Sequence, residues 1–348
     1  MRKLPESAPI QPSLSFCIEQ MALLGLDIGK VLAGSGLDES SYKNPLSLVS
    51  GRQELAVYRN ILRITGSPAI GLRLGSTVGR NALGVLGALV SNATDLGHAG
   101  YLLRRYNCLT SPWIVSELLG KLVSGSFIVR YKATCDLGEL YRFVLDRDLR
   151  GTQALLVDVF GEKASRYVSS VAFGYPEPRG AKRYVEEFGC PVSFDRDATY
   201  VTYDSEFAKM RNEHLCSIAY NTYLPLCQKL LADRSPRKWH QRVLGILLSS
   251  DEYPSAKEIS SKLACSERSL SRHLKDEGYP YFELIDRVRY DRAVYLLTHS
   301  QDSVKEIGFQ LRYSEPANFV HAFIRWSGVS PTQFRNSLST TVRVSSAA

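Results

Sequence analysis

Residues Ser255–Gly278 read SAKEISSKLACSERSLSRHLKDEG, and residues Ser303–Trp326 read SVKEIGFQLRYSEPANFVHAFIRW. Both follow one plan: a short amphipathic helix, a tight turn and a second helix. In the first stretch Ile259 and Leu263 share one helical face and point inward. Ala264-Cys265 fits the turn. Ser266 is placed to N-cap the next helix, because its hydroxyl accepts a backbone N–H that the first turn leaves orphaned. That helix buries Leu270 and Leu274, presents Arg268, Arg272 and Lys275 on the opposite face, and stops at Gly278. In the second stretch Val304, Ile307 and Leu311 supply the buried face of the leading helix. Ser314 is expected to cap the following helix, and Pro316 to sit in its first turn, where a missing N–H costs nothing. Phe319 and Phe323 turn inward and leave Asn318, His321 and Arg325 outside. A short helix packed beneath a second helix with a cationic outer stripe is the plan of a major-groove reader.

Between the two units, Phe282 to Thr298 is helical, with Leu284, Val288, Ala293, Leu296 and Leu297 on one side and Arg287, Arg289 and Arg292 largely elsewhere. The pair of units, the linking segment VRYDRAVYLL (Val288–Leu297) and the tail FIRWSGVSPTQFR (Phe323–Arg335) resemble the DNA-binding domain of AraC/XylS-type transcription regulators. The resemblance covers about the last third of the chain. It implies an all-α domain with two helix-turn-helix units on one long helix, and double-stranded promoter DNA as partner. It also implies that the positions of Arg268, Ser271 and Arg272 face bases. The remaining polar positions, Ser269 and Lys275 in the first unit and Ser314, Asn318, His321 and Arg325 in the second, complete the expected DNA-facing set.

The two units differ in chemistry. Arginine binds guanine O6 and N7 bidentately, which suits Arg268 and Arg272. Lys275 lies further along the helix and suits phosphate, which positions without reading. The second unit departs from the family pattern: Pro316 and Ala317 stand where relatives place polar residues, His321 replaces a frequent arginine, and Glu315 repels phosphate. That unit is expected to read bases weakly, through backbone, shape or thymine-methyl contacts.

The other 250 or so residues are long enough for a second domain. The chain is 348 residues with 44% hydrophobic residues and a net charge of +8. The charge suits an anionic partner, yet Arg237–Arg335 holds 15 Lys and Arg against 12 Asp and Glu. The case for DNA therefore rests on where the cations lie, not on their number. No apolar run is long enough to span a bilayer, and MRKLPESAPIQPS has no signal-peptide core, so a cytoplasmic, nucleoid-associated chain without a membrane partner is expected. Seven cysteines and six histidines are dispersed without zinc spacing, so reduced, mostly buried thiols are expected and no metal or cofactor.

Pro12 to Leu32 reads as one helix, GSGLDES (Gly34–Ser40) as a turn, and Gly51 to Thr65 as a helix begun by Ser50. A glycine-punctuated stretch follows. It lacks a phosphate-loop pattern, so Gly84 and Gly87 are assigned to close helix packing. Asp95 to Asn107 is a helix with Leu96, Ala99, Leu102 and Leu103 inward and Arg104-Arg105 outward. Lys121 to Asp136 is strand-like. Leu140 to Phe160 is a long helix, Val168 to Phe173 and Thr199 to Tyr203 are strands, and Ala181 to Phe188 is a short helix. Asn221 to Arg234 reads as a helix or a helix pair broken near Pro225, with Leu224, Cys227, Leu230 and Leu231 as its apolar stripe. This is an α+β pattern. IGLRLG (Ile70–Gly75), LGVLGALVSNATDLGHAGYLLRRY (Leu83–Tyr106) and VAFGYPEPRGAKRYVEEFGCPVSFD (Val171–Asp195) resemble the non-cupin effector domain of AraC-type regulators of the ornithine-utilisation kind. The resemblance implies a sensory or dimerising domain.

The expected organisation is 1–220 for effector binding and dimerisation, 221–238 for a connecting helix and linker with DRSPRK (Asp233–Lys238) as the hinge, 239–338 for DNA binding, and a tail at 339–348. Arg104, Tyr141 and Arg142 are candidates for meeting an anionic effector. A homodimer and contact with RNA polymerase fit the class. Two other functions stay open from the residues: a thiol sensor with Cys108 beside Arg104 and Arg105, and an enzyme or repair protein targeted to DNA. The first 235 residues show no catalytic pattern that favours the latter.

Overall fold

The computed structural model describes residues 8–9, 12–44, 47–123, 126–233, 239–249 and 252–340. The chain divides into two compact units. One is Met1–Glu117, Arg130–Val201 and Met210–Cys227; the other is Leu118–Val129, Thr202–Lys209 and Gln228–Ala348. A mixed α/β N-terminal region is followed by a helical C-terminal region, the class that the sequence pattern predicts.

The first unit is built around the helix Leu140–Phe160. Phe143, Val144, Leu145, Leu149, Leu155 and Leu156 are buried on it, and so are Asp146, Arg147 and Gln153. A helix buried around its circumference must be packed on every side. One neighbour is the short helix Ile70–Ser76. A Cβ on Gly71 would stand 2.4 Å from the Phe143 carbonyl oxygen, and one on Gly75 would stand 2.7 Å from that of Arg147. The glycines of IGLRLG therefore let two backbones touch. Gly87 acts likewise, with its Cβ position 1.8 Å from the Arg80 carbonyl oxygen. Gly84 meets a backbone requirement of its own. It takes φ 54° where the turn Arg80–Leu83 meets the helix Gly84–Val90, a conformation unfavourable for side chains.

Five strands form the larger sheet, in the order Ile114–Val123, Ser126–Ala133, Thr199–Asp204, Val168–Ala172, Val192–Ser193. The last two run parallel, with Val171 opposite Val192. Phe127, Val129 and Tyr131 alternate as buried residues along the second strand, as a half-buried strand requires. The first strand begins at Ile114, earlier than the strand-like region starting at Lys121. A second, two-residue sheet pairs Ala8–Pro9 with Leu48–Val49.

Three local expectations are corrected by tertiary context. Pro12 to Leu32 is not one helix: it stops at Leu23, turns through Gly25 at φ 77°, and restarts at Ile28 with Asp27 accepting the Gly29 N–H. Arg105 is not outward but buried, donating to the Tyr101 hydroxyl and lying over the Tyr101 and Tyr106 rings. The helix Ser217–Asp233 runs through Pro225 without a break. Its Cys227 and Leu231 are buried, whereas Leu230 of the expected stripe is exposed. The linker beyond Asp233, residues 341–348 of the tail and most of the N-terminal segment lie outside the described residues. No described helix is long and apolar enough to cross a membrane.

Because the Gly71 and Gly87 positions abut backbone rather than flexible side-chain ends, Gly71→Ala and Gly87→Ala should each lower stability by about 1–3 kcal/mol. Urea denaturation of the full chain measures this. An unchanged midpoint would show that the neighbouring backbones yield.

Candidate functional site

The helical region consists of helices Trp239–Ser249, Ala256–Lys262, Glu267–Asp276, Tyr281–His299, Val304–Gln310, Pro316–Ser327 and Pro331–Thr340. Both leading helices start with a reciprocal cap. The Ser255 hydroxyl accepts the Glu258 N–H while the Glu258 carboxylate accepts the Ser255 N–H, and Ser303 and Glu306 repeat the exchange. Hydrogen bonds from each serine hold the Glu258 and Glu306 carboxyls below their ordinary range. Ile259, Ile307 and Leu311 are fully buried. Leu263 and Val304, expected inside, are only half-buried; they stand at opposite ends of their short helices, Leu263 at the C-cap and Val304 as the first residue. Both turns use a left-handed residue that is not glycine, Ala264 at φ 54° and Arg312 at φ 62°. The Cys265 N–H reaches back to Ser260, and the Tyr313 N–H reaches back to Gly308.

The units diverge after the turn. Ser266 caps the first recognition helix, accepting the Ser269 N–H at 3.1 Å. In the second unit the N-cap is Glu315, without a side-chain bond, and Pro316 is the first helical residue. Ser314 is thus not the cap; the second turn is one residue longer and leaves it exposed before the helix begins. Leu270 and Leu274 are buried in the first helix, and Phe319 and Phe323 in the second. The first helix closes with the Tyr279 N–H on the Leu274 carbonyl and Gly278 at φ 76°.

Arg268, Ser271, Arg272 and Lys275 are all exposed on one face of the first recognition helix, with Ser269 half-buried beside them. Among the described residues no ion pair engages Arg268, Arg272 or Lys275, so these cations remain available to a ligand. The second recognition helix exposes Ala317, Asn318, His321, Ile324 and Arg325. Arg325 is drawn 2.6 Å from Asp286 of the linking helix. That pair is exposed and worth at most about 1 kcal/mol, so a phosphate can compete for the arginine.

The frame behind these faces explains the tail motif. Phe334 is buried against Phe323, with ring centroids 5.4 Å apart. Arg335 donates to the carbonyls of Leu297 and Asp302, closing the end of the linking helix. The Arg289 guanidinium lies 5.5 Å from the Tyr253 ring centre, ahead of the first unit. It lies 4.6 Å from that of Tyr313, in the turn of the second. Behind the first recognition helix, Trp239 stacks on His273 at 4.4 Å. Glu277 accepts the Trp239 and His240 N–H groups and sits 2.6 Å from the His240 ring nitrogen. Burial alone would raise the Glu277 carboxyl, but these bonds outweigh it and leave it lowered.

In the first unit, Tyr141 and Arg142 belong to one cluster. Asp146 is fully buried and accepts hydrogen bonds from the Tyr175 and Tyr184 hydroxyls, both at 2.5 Å. Arg142 donates to the Tyr184 hydroxyl at 3.0 Å and lies 3.6 Å from Asp146. Tyr141 meets the Tyr175 ring edge-on. Burial pushes the Asp146 carboxyl up to about 6, against the opposing tyrosine and arginine contacts. Arg104 is half-buried on the helix Leu96–Tyr106, and none of the contacts of Arg142, Asp146, Tyr175 or Tyr184 involves it. Asp146 carries no distinguishing signal in the sequence, where it is one of several charges in RFVLDRDLR (Arg142–Arg150).

Residues 25–212 match the model described as the arabinose-binding domain of AraC transcription regulator, N-terminal, and residues 259–337 match that of a helix-turn-helix domain. The chain is 29% identical over 279 residues to the ornithine utilization regulator of Pseudomonas aeruginosa, covering 78% of this chain and 80% of that protein. It is 46% identical over 87 residues to the HTH-type transcriptional regulator VqsM of the same species, or 25% of this chain and 27% of the relative. To the HTH-type transcriptional regulator VirS of Mycobacterium tuberculosis it is 25% identical over 279 residues, 77% of this chain and 78% of the relative. These relatives are named as regulators, which removes the alternative of an enzyme carried to DNA.

Two outcomes follow from the frame. Arg289→Met should lose both ring contacts and about 1–3 kcal/mol of stability, read by denaturant unfolding. Glu277 has a lowered carboxyl, so its contribution is present above its unfolded value of about 4.5 and is lost as pH falls below it. Glu277→Gln should therefore be less stable than the wild type at neutral pH, with the difference shrinking on acidification below about pH 4.5. A difference that stays constant down to pH 3 would remove the carboxylate from this role.

Proposed function

The chain belongs to the AraC family of transcription regulators, and from that membership we propose that its two helix-turn-helix units dock in adjacent major-groove segments and read them unequally. The first unit is the stronger reader. The observation that carries this is the contrast between the two outward faces: Arg268, Arg272 and Lys275 are exposed without ion pairs, whereas the second helix offers Ala317, Asn318, His321 and Ile324. Arg268 and Arg272 contact base edges, with Ser269 and Ser271 beside them. Lys275 and Arg325 neutralise phosphate. Ser314, Asn318 and His321 supply the weaker contacts of the second segment. Two units fixed on one helix reach groove segments about one helical turn apart.

Residues 1–220 form the sensing and dimerising part in this reading, 221–238 connect, and 239–338 bind promoter DNA, with 339–348 as a tail. A small molecule bound by the first part shifts a pre-existing equilibrium between DNA-competent and incompetent arrangements, which requires that it bind the two with different affinity. The relative named for ornithine utilization supports metabolite control in general and leaves the metabolite of this chain open. The regulator acts in the cytoplasm on the nucleoid, as a homodimer when its sites are repeated, with RNA polymerase as the downstream partner.

The test is genome-wide footprinting of the full chain beside Arg268→Ala/Arg272→Ala, followed by binding to the recovered site and its base variants. Arg272→Ala should lose about 1–3 kcal/mol of discrimination at one base pair. His321→Ala should weaken all sequences about equally. Lys275→Ala should reduce the slope of log affinity against log salt by about 0.9. Equal loss of selectivity from Arg272→Ala and His321→Ala would overturn the unequal division.

A further inference from the structure

The first unit holds a buried carboxylate against the hydroxyls of two tyrosines of an aromatic cluster, beside a cation from its own chain. Phe173 and Phe194 stack at 5.4 Å, and Tyr184 meets both edge-on at 5.3 Å. Tyr175 lies 4.8 Å from Phe173 and 5.9 Å from Phe194. Asp146 is completely enclosed beneath them. One tyrosine hydroxyl binds each carboxylate oxygen, Tyr175 on Oδ1 and Tyr184 on Oδ2. A carboxylate has about four lone-pair positions, so both oxygens can still accept. The Arg142 guanidinium stands 5.8 Å from the Tyr175 ring centre and 5.7 Å from that of Tyr184. Its nearest approach to Asp146 is 3.6 Å, well outside the roughly 2.7–2.9 Å of a charge-assisted hydrogen bond. Arg142 is held there by its hydrogen bond to the Tyr184 hydroxyl at 3.0 Å, and its side chain is 25% exposed while that of Asp146 is 0% exposed.

We propose that this cluster is the effector site of the sensing domain, and that its ligand is an organic cation, a primary ammonium or guanidinium on a short aliphatic stem, which takes the place of Arg142 against Asp146, Tyr175 and Tyr184. The inference rests on the reading of residues 1–220 as a ligand sensor. It reverses the charge expected from Arg142 alone: the arginine is already matched to a carboxylate, and the group left to be satisfied when it swings out is anionic. Tyrosine faces and a desolvated carboxylate together favour a cation over an anion or a sugar. The exchange has a built-in consequence. Tyr184 sits on the short helix Lys182–Phe188, which is tied to the central helix by Arg142, by Arg150 on Glu187 and by Gln153 on the Phe188 carbonyl. Displacing Arg142 removes one of those ties and alters the seating of that helix.

Calorimetric titration of the full-length protein with putrescine, agmatine, L-lysine and methylguanidinium, beside succinate and glucose, tests this. At least one cation should bind saturably to the wild type. Arg142→Leu should tighten that binding about tenfold by removing the internal competitor, and Asp146→Asn should abolish it. Tyr184→Leu serves as the second loss variant if Asp146→Asn fails to fold, as judged by thermal unfolding. Binding of cations to Arg142→Leu but not to the wild type would mean that Arg142 is a structural partner and that the variant merely opens a cavity. No cation binding to the wild type, or binding indifferent to Asp146→Asn, would overturn the proposal. Succinate or glucose binding that persists in Asp146→Asn and alters DNA affinity would overturn this site while leaving the sensor reading intact.

Discussion

The Arg289 guanidinium lies between the rings of Tyr253 and Tyr313, and the paired architecture of the helical region depends on it. One ring precedes the first helix-turn-helix unit and the other lies in the turn of the second. A single side chain on the linking helix therefore joins the segment leading into the first unit to the turn of the second. Contacts of this kind contribute about 0.5–2 kcal/mol each, a modest figure that matters because it is spent on relative position. Two units docked as proposed, in groove segments about one helical turn apart, would gain little from flexibility. Arg335 at the end of the same helix and the Phe334 ring on Phe323 hold the second unit from the other side.

A comparable economy operates in the N-terminal region, where the central helix carries two adjacent buried charges. Asp146 is met by Tyr175, Tyr184 and Arg142. Arg147 is met by Asp148 at 2.7 Å and by the Tyr58 ring at 4.7 Å, with Glu54 and Cys17 nearby. Burying ionised groups is costly unless each is matched. Replacing either by an apolar residue of similar size is a simpler way to stabilise a helix of this kind. They lie on successive residues, and each has its own set of polar and aromatic partners.

The legible part of the structure is local in origin. Ser50 and Ser266 sit at the helix starts expected of them, because the geometry of a cap involves only a few consecutive residues. Leu270, Leu274, Phe319 and Phe323 were readable as buried because helical period alone puts them on one face. The misreadings share the opposite origin. Ser314 looks like a cap, but the extra residue in the second turn is set by how its two helices pack. Arg105 looks solvent-facing beside Arg104, yet Tyr101 and Tyr106 give it aromatic partners inside. Gly71 and Gly75 carry no local mark of their close approach; only the position of the Leu140–Phe160 helix reveals it.

By itself the sequence determined the elements of the helical region, their order, their buried faces and the unequal chemistry of their outer faces, because these follow from period, capping and side-chain type within about a dozen residues. Only the tertiary structure decided which charges are engaged and by what. Arg142 and Arg272 are the same residue type on the same kind of helix. The first has a carboxylate and two rings brought to it from residues 146, 175 and 184, and the second is exposed without an ion pair among the described residues. That difference is made by chain segments distant in sequence, and local pattern carries no information about which segments will meet.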